Sequence, residues 1–407
     1  MSTSAPARFL DLHILQSVPY SNLNRDDTNS VKKLRYGGVT RTRVSSQCWK
    51  RSIRLQLEAA QGDAAMRTRR LADELRRFLT EERGWAEDLA TRAGIYTVVA
   101  SSIGAEPPKK KSKDKDAEET NLEQPDVPWG TKAMVYIPAS AVAELAEIAE
   151  KHQDALAAAA DLKPGIADKD AVKAATAVLP REDIDRVLRS RNGVINLTGR
   201  MLAELDGAAV DGAVQVAHAM TTHATGVEID YFSAVDDITE AWGGTGSAHM
   251  GRGEYSAGTF YRYLTVDLNE LIKNCGDLAA ARNLTAAFVE AAITAMPHAK
   301  KNSTAPNTIP DLVAVAVRAD RPVSYASAFE AAVPADAVSG FAAPSITALT
   351  TYAAAVDKLM GASRSPLLRA YASITDAEGQ GLGERLDSID DLAEQAVAAA
   401  FAGRDKA

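Results

Sequence analysis

Apolar positions recur with two different spacings along the chain. Between Arg8 and Val18, Phe9, Leu10, Leu12, Ile14, Leu15 and Val18 supply nearly continuous apolar mass, which reads as a buried strand. From Ser45 onward the spacing changes. Trp49, Ile53 and Leu57 stand four apart, one stripe of a helix that Ser45-Ser46 can cap and that runs to about Ala60. Tyr20 to Thr42 lies between them, polar and basic, with Gly37-Gly38 inside. It reads as a long loop, and loops of that length in compact domains are usually functional or disordered.

Met66–Leu79 and Trp85–Arg92 read as charged helices, while Ile95–Ala100 fits either a strand or a buried helical turn. Lys132–Ile137 is strand-like, and Pro138 opens an alanine-rich helix to about Ala160. Helices follow at Asp168–Ala177 and Arg181–Arg189. Val214, Val216, His218 and Met220 alternate with smaller residues, the pattern of a half-buried strand over Ala213–Thr221. Further strands are expected at Val227–Ser233 and Gly258–Asp267, with a glycine-rich excursion, Gly243 to Gly253, between them. Asp277–Met296 is a helix, Leu312–Val317 a central strand, and Ile346–Met360 and Ile389–Phe401 are closing helices. Strands grouped in the middle predict α+β rather than a doubly wound parallel sheet.

The length, 407 residues with 46% apolar and 25% charged, suits one large domain or two smaller ones. No apolar run reaches the roughly 18 to 20 residues of a membrane helix, and the first residues do not read as a secretory signal. Cys48 and Cys275 have neither metal-ligand spacing nor the number for a disulfide framework, so a reducing cytoplasm is the expected location. The net charge of −8 argues by itself against nucleic acid, but its distribution reverses the argument. From Arg25 to Arg54 nine Lys or Arg face only Asp26 and Asp27, a block of +7 that leaves −15 for the rest. Such asymmetry marks either a local anion site or a basic face balancing acidic neighbours. Lys50, Arg51 and Arg54 flank the apolar stripe of the capped helix, an arrangement suited to phosphate. Gly104 to Pro128, with Pro107-Pro108 and Lys109-Lys110-Lys111, holds almost nothing apolar and reads as a flexible insert.

The glycine-rich stretch matches no nucleotide fingerprint. His218, His223, Asp230, Asp236, Asp237 and His249 crowd together as a metal-dependent hydrolase would need, yet fit no tight motif, and His218 at its alternating position reads as a core histidine. Asp26 and Asp27 can either activate a hydroxyl or orient Arg25 and the neighbouring cations. Tyr231-Phe232 places adjacent aromatics on opposite faces of a strand, so one can stack on bases while the other packs, unless both are internal.

Several motifs stand in a fixed order. They are Leu23-Asn-Arg-Asp-Asp27, Gly37-Gly38, Arg43-Val-Ser-Ser-Gln47 with Lys50-Arg51, Asp211-Gly-Ala-Val-Gln-Val-Ala-His218 before Thr221-Thr-His223, Asp230-Tyr-Phe-Ser-Ala-Val-Asp-Asp237, Gly246-Ser-Ala-His249 and Phe260-Tyr-Arg-Tyr263. This order closely resembles the CasC family of the RAMP superfamily, the repeated backbone subunit of the type I-E CRISPR surveillance complex Cascade. The likeness is strongest over 9–54 and 194–268, and the insert at 104–128 departs from it.

The resemblance implies one hand-shaped protein over 1–407, with a modified RRM-type, ferredoxin-like palm. A helical fingers region lies within 46–210, and palm strands with a β-hairpin thumb lie within 211–268. It implies copies polymerised along a CRISPR RNA, presenting the spacer to target DNA for antiviral defence. Other Cascade subunits and a recruited helicase-nuclease are the further partners; neither membrane, metal, cofactor nor catalysis is implied. Carried over residue by residue, Arg25, Lys32, Ser45, Gln47, Lys50, Arg51 and Arg54 match guide-contact positions. Met201 matches a residue that wedges against guide bases, and Tyr231, Phe232 and Val235 match the thumb tip. The competing expectation is a type III-like backbone subunit that cuts RNA with a metal and Asp26 or Asp27.

Overall fold

The structure, a computed structural model, describes residues 6–106, 129–162, 169–235, 247–376 and 379–404. The chain forms two compact units, one of 1–60 with 213–407 and one of 61–212. The first unit begins with β1 (Phe9–Ser21), β2 (Lys33–Tyr36), β3 (Val39–Val44) and α1 (Ser46–Gln61). The supposed long loop therefore ends in a hairpin. Its strands pair Lys33 with Thr42 and Tyr36 with Val39, leaving Gly37-Gly38 as a two-residue turn. Both glycines have positive φ, +58° and +82°, as a turn matching the strand twist requires. Arg41, one of the nine cations of the basic block, is buried and donates to the Thr221 and Phe329 carbonyls at 3.0 and 2.7 Å.

The second unit contains β4 (Ala65–Thr68), α2 (Leu71–Glu81), α3 (Glu87–Ala100), β5 (Ala105–Glu106), β6 (Gly130–Thr131) and β7 (Val135–Pro138). It continues through α4 (Ala141–Lys151), α5 (Gln153–Ala158), α6 (Lys169–Val178), α7 (Arg181–Leu188) and α8 (Gly193–Thr198). Leu71, Leu75, Tyr96, Leu145, Ile184 and Leu188 pack into one core. Met66 lies in a strand rather than a helix, pairing with Ile137, and Ile95–Ala100 is the end of α3. Ala105 and Glu106, at the start of the expected insert, pair with Thr131 and Gly130; 107–128 falls outside the described residues.

The first unit resumes with β8 (Val214–Val216), β9 (Ala219–Thr221), β10 (Glu228–Val235) and the 21-residue β11 (Ser247–Asp267). Then come α9 (Leu268–Cys275), α10 (Leu278–Thr294), α11 (Lys301–Thr304), β12 (Leu312–Arg318), α12 (Ala342–Met360), β13 (Leu368–Ser373), β14 (Glu384–Arg385) and α13 (Ile389–Phe401). One sheet runs β14-β13-β12-β1-β11-β9-β3-β2, with β8 and β10 also paired to β11. β1 pairs antiparallel with both β11 and β12. The fold is α+β, as expected.

Side chains alternate between two covered faces. Phe260 and Arg262 face α1, where Trp49 packs with Val18, Leu23 and Phe260, and the Arg262 guanidinium lies 3.8 Å from the centre of the Trp49 ring. This packing draws α1 to the sheet of the first unit, and the second unit starts at Gln61. On the opposite face Leu15 and Tyr261 pack against Tyr325, Phe329 and, from α12, Ile346 and Leu349.

Candidate nucleic-acid interface

The start of α1 gathers the basic residues. Asn24 joins the preceding loop to the helix: its side-chain oxygen accepts from the Ser45 N–H at 2.9 Å and its carbonyl from the Lys32 N–H at 3.2 Å. Glu254 of β11 holds the same loop, accepting from the Val31 N–H at 3.2 Å and the Ser30 hydroxyl at 3.1 Å. Arg25 is exposed and donates to Asn29 Oδ1 at 3.0 Å. On α1, Gln47, Lys50, Arg51 and Arg54 recur at three- and four-residue intervals and so form one stripe beside the buried Trp49, Ile53 and Leu57. Gln47 and Arg51 are exposed and Lys50 is half-buried. The charges of Lys32 and Arg51 both act on the Cys48 thiol, whose burial pushes its pKa up, so cations from loop and helix converge there.

Two expectations change. Arg54 pairs with Glu58 at 3.8 Å, one turn along the helix, and its charge is partly spent. Two of the amides at the helix start are also already used. Buried Ser45 accepts from the Cys48 N–H at 3.3 Å, and the Ser46 N–H donates to His218 Nδ1 at 3.0 Å. An anion placed here would therefore meet side chains more than backbone donors.

Asp26 does not pair with Arg25. Its Oδ1 accepts from the Thr28 N–H, the Thr28 hydroxyl and the Ser30 N–H at 3.0, 2.8 and 2.8 Å, folding the loop on itself. These bonds, led by the Thr28 hydroxyl, hold the carboxyl below its ordinary range. Asp27 is exposed.

The histidine cluster disperses. His218 is exposed between β8 and β9, because the expected strand breaks at Ala217-His218; it is not a core histidine. His223 is buried, stacked on Phe341 with centroids 3.5 Å apart, and its Nε2 accepts from the Thr259 N–H at 3.1 Å. Asp236 and Asp237 fall outside the described residues, among which no three His, Cys, Asp or Glu are grouped to hold a metal.

β10 and β11 form a hairpin on which Tyr231 is 69% and Phe232 52% exposed. Tyr231 stands opposite Arg252, and Val235 ends β10 opposite Ser247. Phe232 stands opposite Gly251, where an added Cβ would come within 2.4 Å of the ring. One face of Phe232 therefore rests on the strand, and the ring remains accessible beyond it. Met201 belongs to the second unit and is 94% exposed. Its neighbour Arg200 explains this exposure. That guanidinium is buried, its pKa pushed down to about 10 by burial, and donates to the carbonyls of Ala208 at 2.7 Å, Ser190 at 2.8 Å and Arg189 at 2.9 Å. Sequence reasoning passed over Asn24, although it sits inside the Leu-Asn-Arg-Asp-Asp motif, and misassigned His218.

The sequence matches the family described as CT1975-like protein over residues 10–395. No curated protein matches the chain. One solved structure, titled "CRISPR RNA-guided surveillance complex, pre-nicking", contains a chain 43% identical, with a TM-score of 0.84, covering 97% of this chain and 100% of its own. Another, titled "CRISPR RNA-guided surveillance complex", contains one 38% identical, with a TM-score of 0.73, covering 96% of this chain and 100% of its own. The chain belongs to the CT1975-like protein family, and the resemblance of its motifs to the CasC backbone subunit of Cascade holds.

Proposed function

We propose that this protein is a CRISPR RNA-binding backbone subunit of a type I-E Cascade complex. Copies polymerise along the guide and present its spacer to target DNA in antiviral defence. Other subunits complete the complex, and a recruited helicase-nuclease degrades the target. The observation that carries this reading is the convergence of Arg25, Lys32, Gln47, Lys50 and Arg51 around the start of α1, in a chain whose relatives are parts of complexes with those titles. Displaying an arbitrary guide needs phosphate and ribose contacts without base-edge reading, and these side chains supply them.

The palm is a modified RRM. Counting β1, β8/β9, β11 and β12 as its strands, their order in the sheet is fourth, first, third, second, as in a ferredoxin-like βαββαβ core. The β10–β11 hairpin is the thumb, with Phe232 seated to face a displaced base, and Met201 is a flexible apolar wedge. The role is non-catalytic. What supports this over RNA cleavage is the commitment of the Asp26 carboxylate to Thr28 and Ser30.

Reversing Lys50, Arg51 and Arg54 together to Glu tests the reading. The variant is expected to keep its far-UV circular dichroism and lose at least nine-tenths of the RNA that co-purifies with wild type. RNA retained at the wild-type level by the folded variant would contradict the assignment.

A further inference from the structure

His218 is the one titratable group at the start of α1 that the sequence assigned elsewhere. Its Nδ1 accepts the Ser46 N–H at 3.0 Å. An acceptor at Nδ1 fixes the neutral tautomer, because the ring proton must then sit on Nε2. The residue is exposed, not packed away. It is brought there by β9, which pairs Met220 with Arg43 and Ala219 with Val44, immediately before the helix begins. Ser46 is also the neighbour of Gln47, the first member of the stripe that carries Lys50 and Arg51.

We propose that His218 is a guide-contacting residue, donating its Nε2–H to a phosphodiester oxygen or ribose hydroxyl while its Nδ1 is held by Ser46. The inference rests on the guide-binding reading above. The helix start spends one amide on the imidazole, and the imidazole returns one donor further out. The contact is neutral, so it binds without displacing a counterion. That separates it from Lys50 and Arg51, whose contacts enter the salt dependence.

The experiment measures the affinity of the full-length protein for a CRISPR RNA from 50 to 400 mM salt. It compares wild type, Lys50→Ala, His218→Leu and His218→Gln. Leu fills the space with no polar atom; Gln offers an acceptor to Ser46 and a donor beyond it. Lys50→Ala is expected to reduce the log–log slope by about one. His218→Leu is expected to weaken binding five- to tenfold at every salt concentration with the slope unchanged, and Gln to recover most of that loss. If His218 only held α1 in place, His218→Leu would shift Lys50 and Arg51 and flatten the slope, and that result overturns the proposal. Wild-type affinity in His218→Leu overturns it as well. If Lys50→Ala changes neither affinity nor slope, the guide-binding reading itself has failed.

Discussion

Single side chains in the central sheet have roles that their residue types conceal. His13 of β1 stacks on Tyr325 with centroids 4.0 Å apart, and its Nδ1 lies 2.8 Å from the Tyr261 hydroxyl. The same hydroxyl oxygen accepts from the Tyr325 N–H at 3.0 Å. Beside them Asp11 and Arg318 form a fully buried ion pair at 3.0 Å, with the Tyr263 hydroxyl donating to Asp11 at 2.9 Å. Burial, aided by the Arg318 charge, pushes the His13 pKa down to about 3. The imidazole is therefore neutral in the folded protein and protonates near 6.5 in the unfolded chain. Protons favour the unfolded state between these values, so the contribution of His13 is complete above about pH 6.5 and is lost as pH falls toward 3. The slope in this window is roughly 1.4 kcal/mol per pH unit. Urea unfolding at pH 6 and 4.5 checks it. The stability of wild type should fall by about 2 kcal/mol more than that of His13→Phe over this interval. The difference is the quantity that matters, because burial lowers the pKa of His223 too. Parallel curves for the two proteins would mean that His13 is charged or solvated in the fold.

The stripe of α1 was legible because the helix buries one face and Trp49, Ile53 and Leu57 declare it. The β2–β3 hairpin was not, since its first strand has only four residues at the sheet edge, with Lys33 and Arg35 exposed on one face and Leu34 and Tyr36 half-buried on the other, too short an alternation to read. Only Gly37-Gly38 announced a turn. The length of β11 was hidden in the same way, by Gly251 and Gly253 within the strand. The break at His218 left no mark in an alternation that otherwise runs on to Met220. In the hairpin turn the two glycines differ in what surrounds them. A Cβ on Gly37 would fall 1.6 Å from the Glu330 carbonyl oxygen, whereas a Cβ on Gly38 meets nothing within 4 Å. Gly38→Ala should cost about 1 to 2 kcal/mol, the strain of the left-handed backbone alone. Gly37→Ala adds the collision, and should cost roughly 3 kcal/mol or more and loosen the Arg41 bonds to Phe329 and Thr221. Urea midpoints of the two variants rank them, and equal losses would show that the Glu330 segment yields freely.

At the level of the whole molecule, the order β12-β1-β11-β8/β9 is the frame on which the rest is arranged. An ordinary RRM keeps one sheet face bare and stacks bases on it. Here that role is blocked, because Tyr325, Phe329 and α12 cover the face that bears His13, Tyr261 and Leu15. The exposed chemistry has moved to the loop after β1, the start of α1 and the hairpin of β10 and β11. That relocation suits a subunit gripping a guide by its backbone while leaving bases free to pair. The fold class and the basic block were readable from residue order, since the motifs are local. The covered face was not, because Tyr325 and Phe329 are separated from β1 by some three hundred residues. The most direct test of guide binding is the nucleic-acid content of the purified wild-type protein, read as its absorbance ratio at 260 and 280 nm with sequencing of what is bound. The account predicts a ratio well above that of protein alone and RNA reads that map to CRISPR repeat-spacer transcripts. Protein purified in the presence of such transcripts that carries no RNA, or carries RNA of unrelated origin in their place, would contradict it.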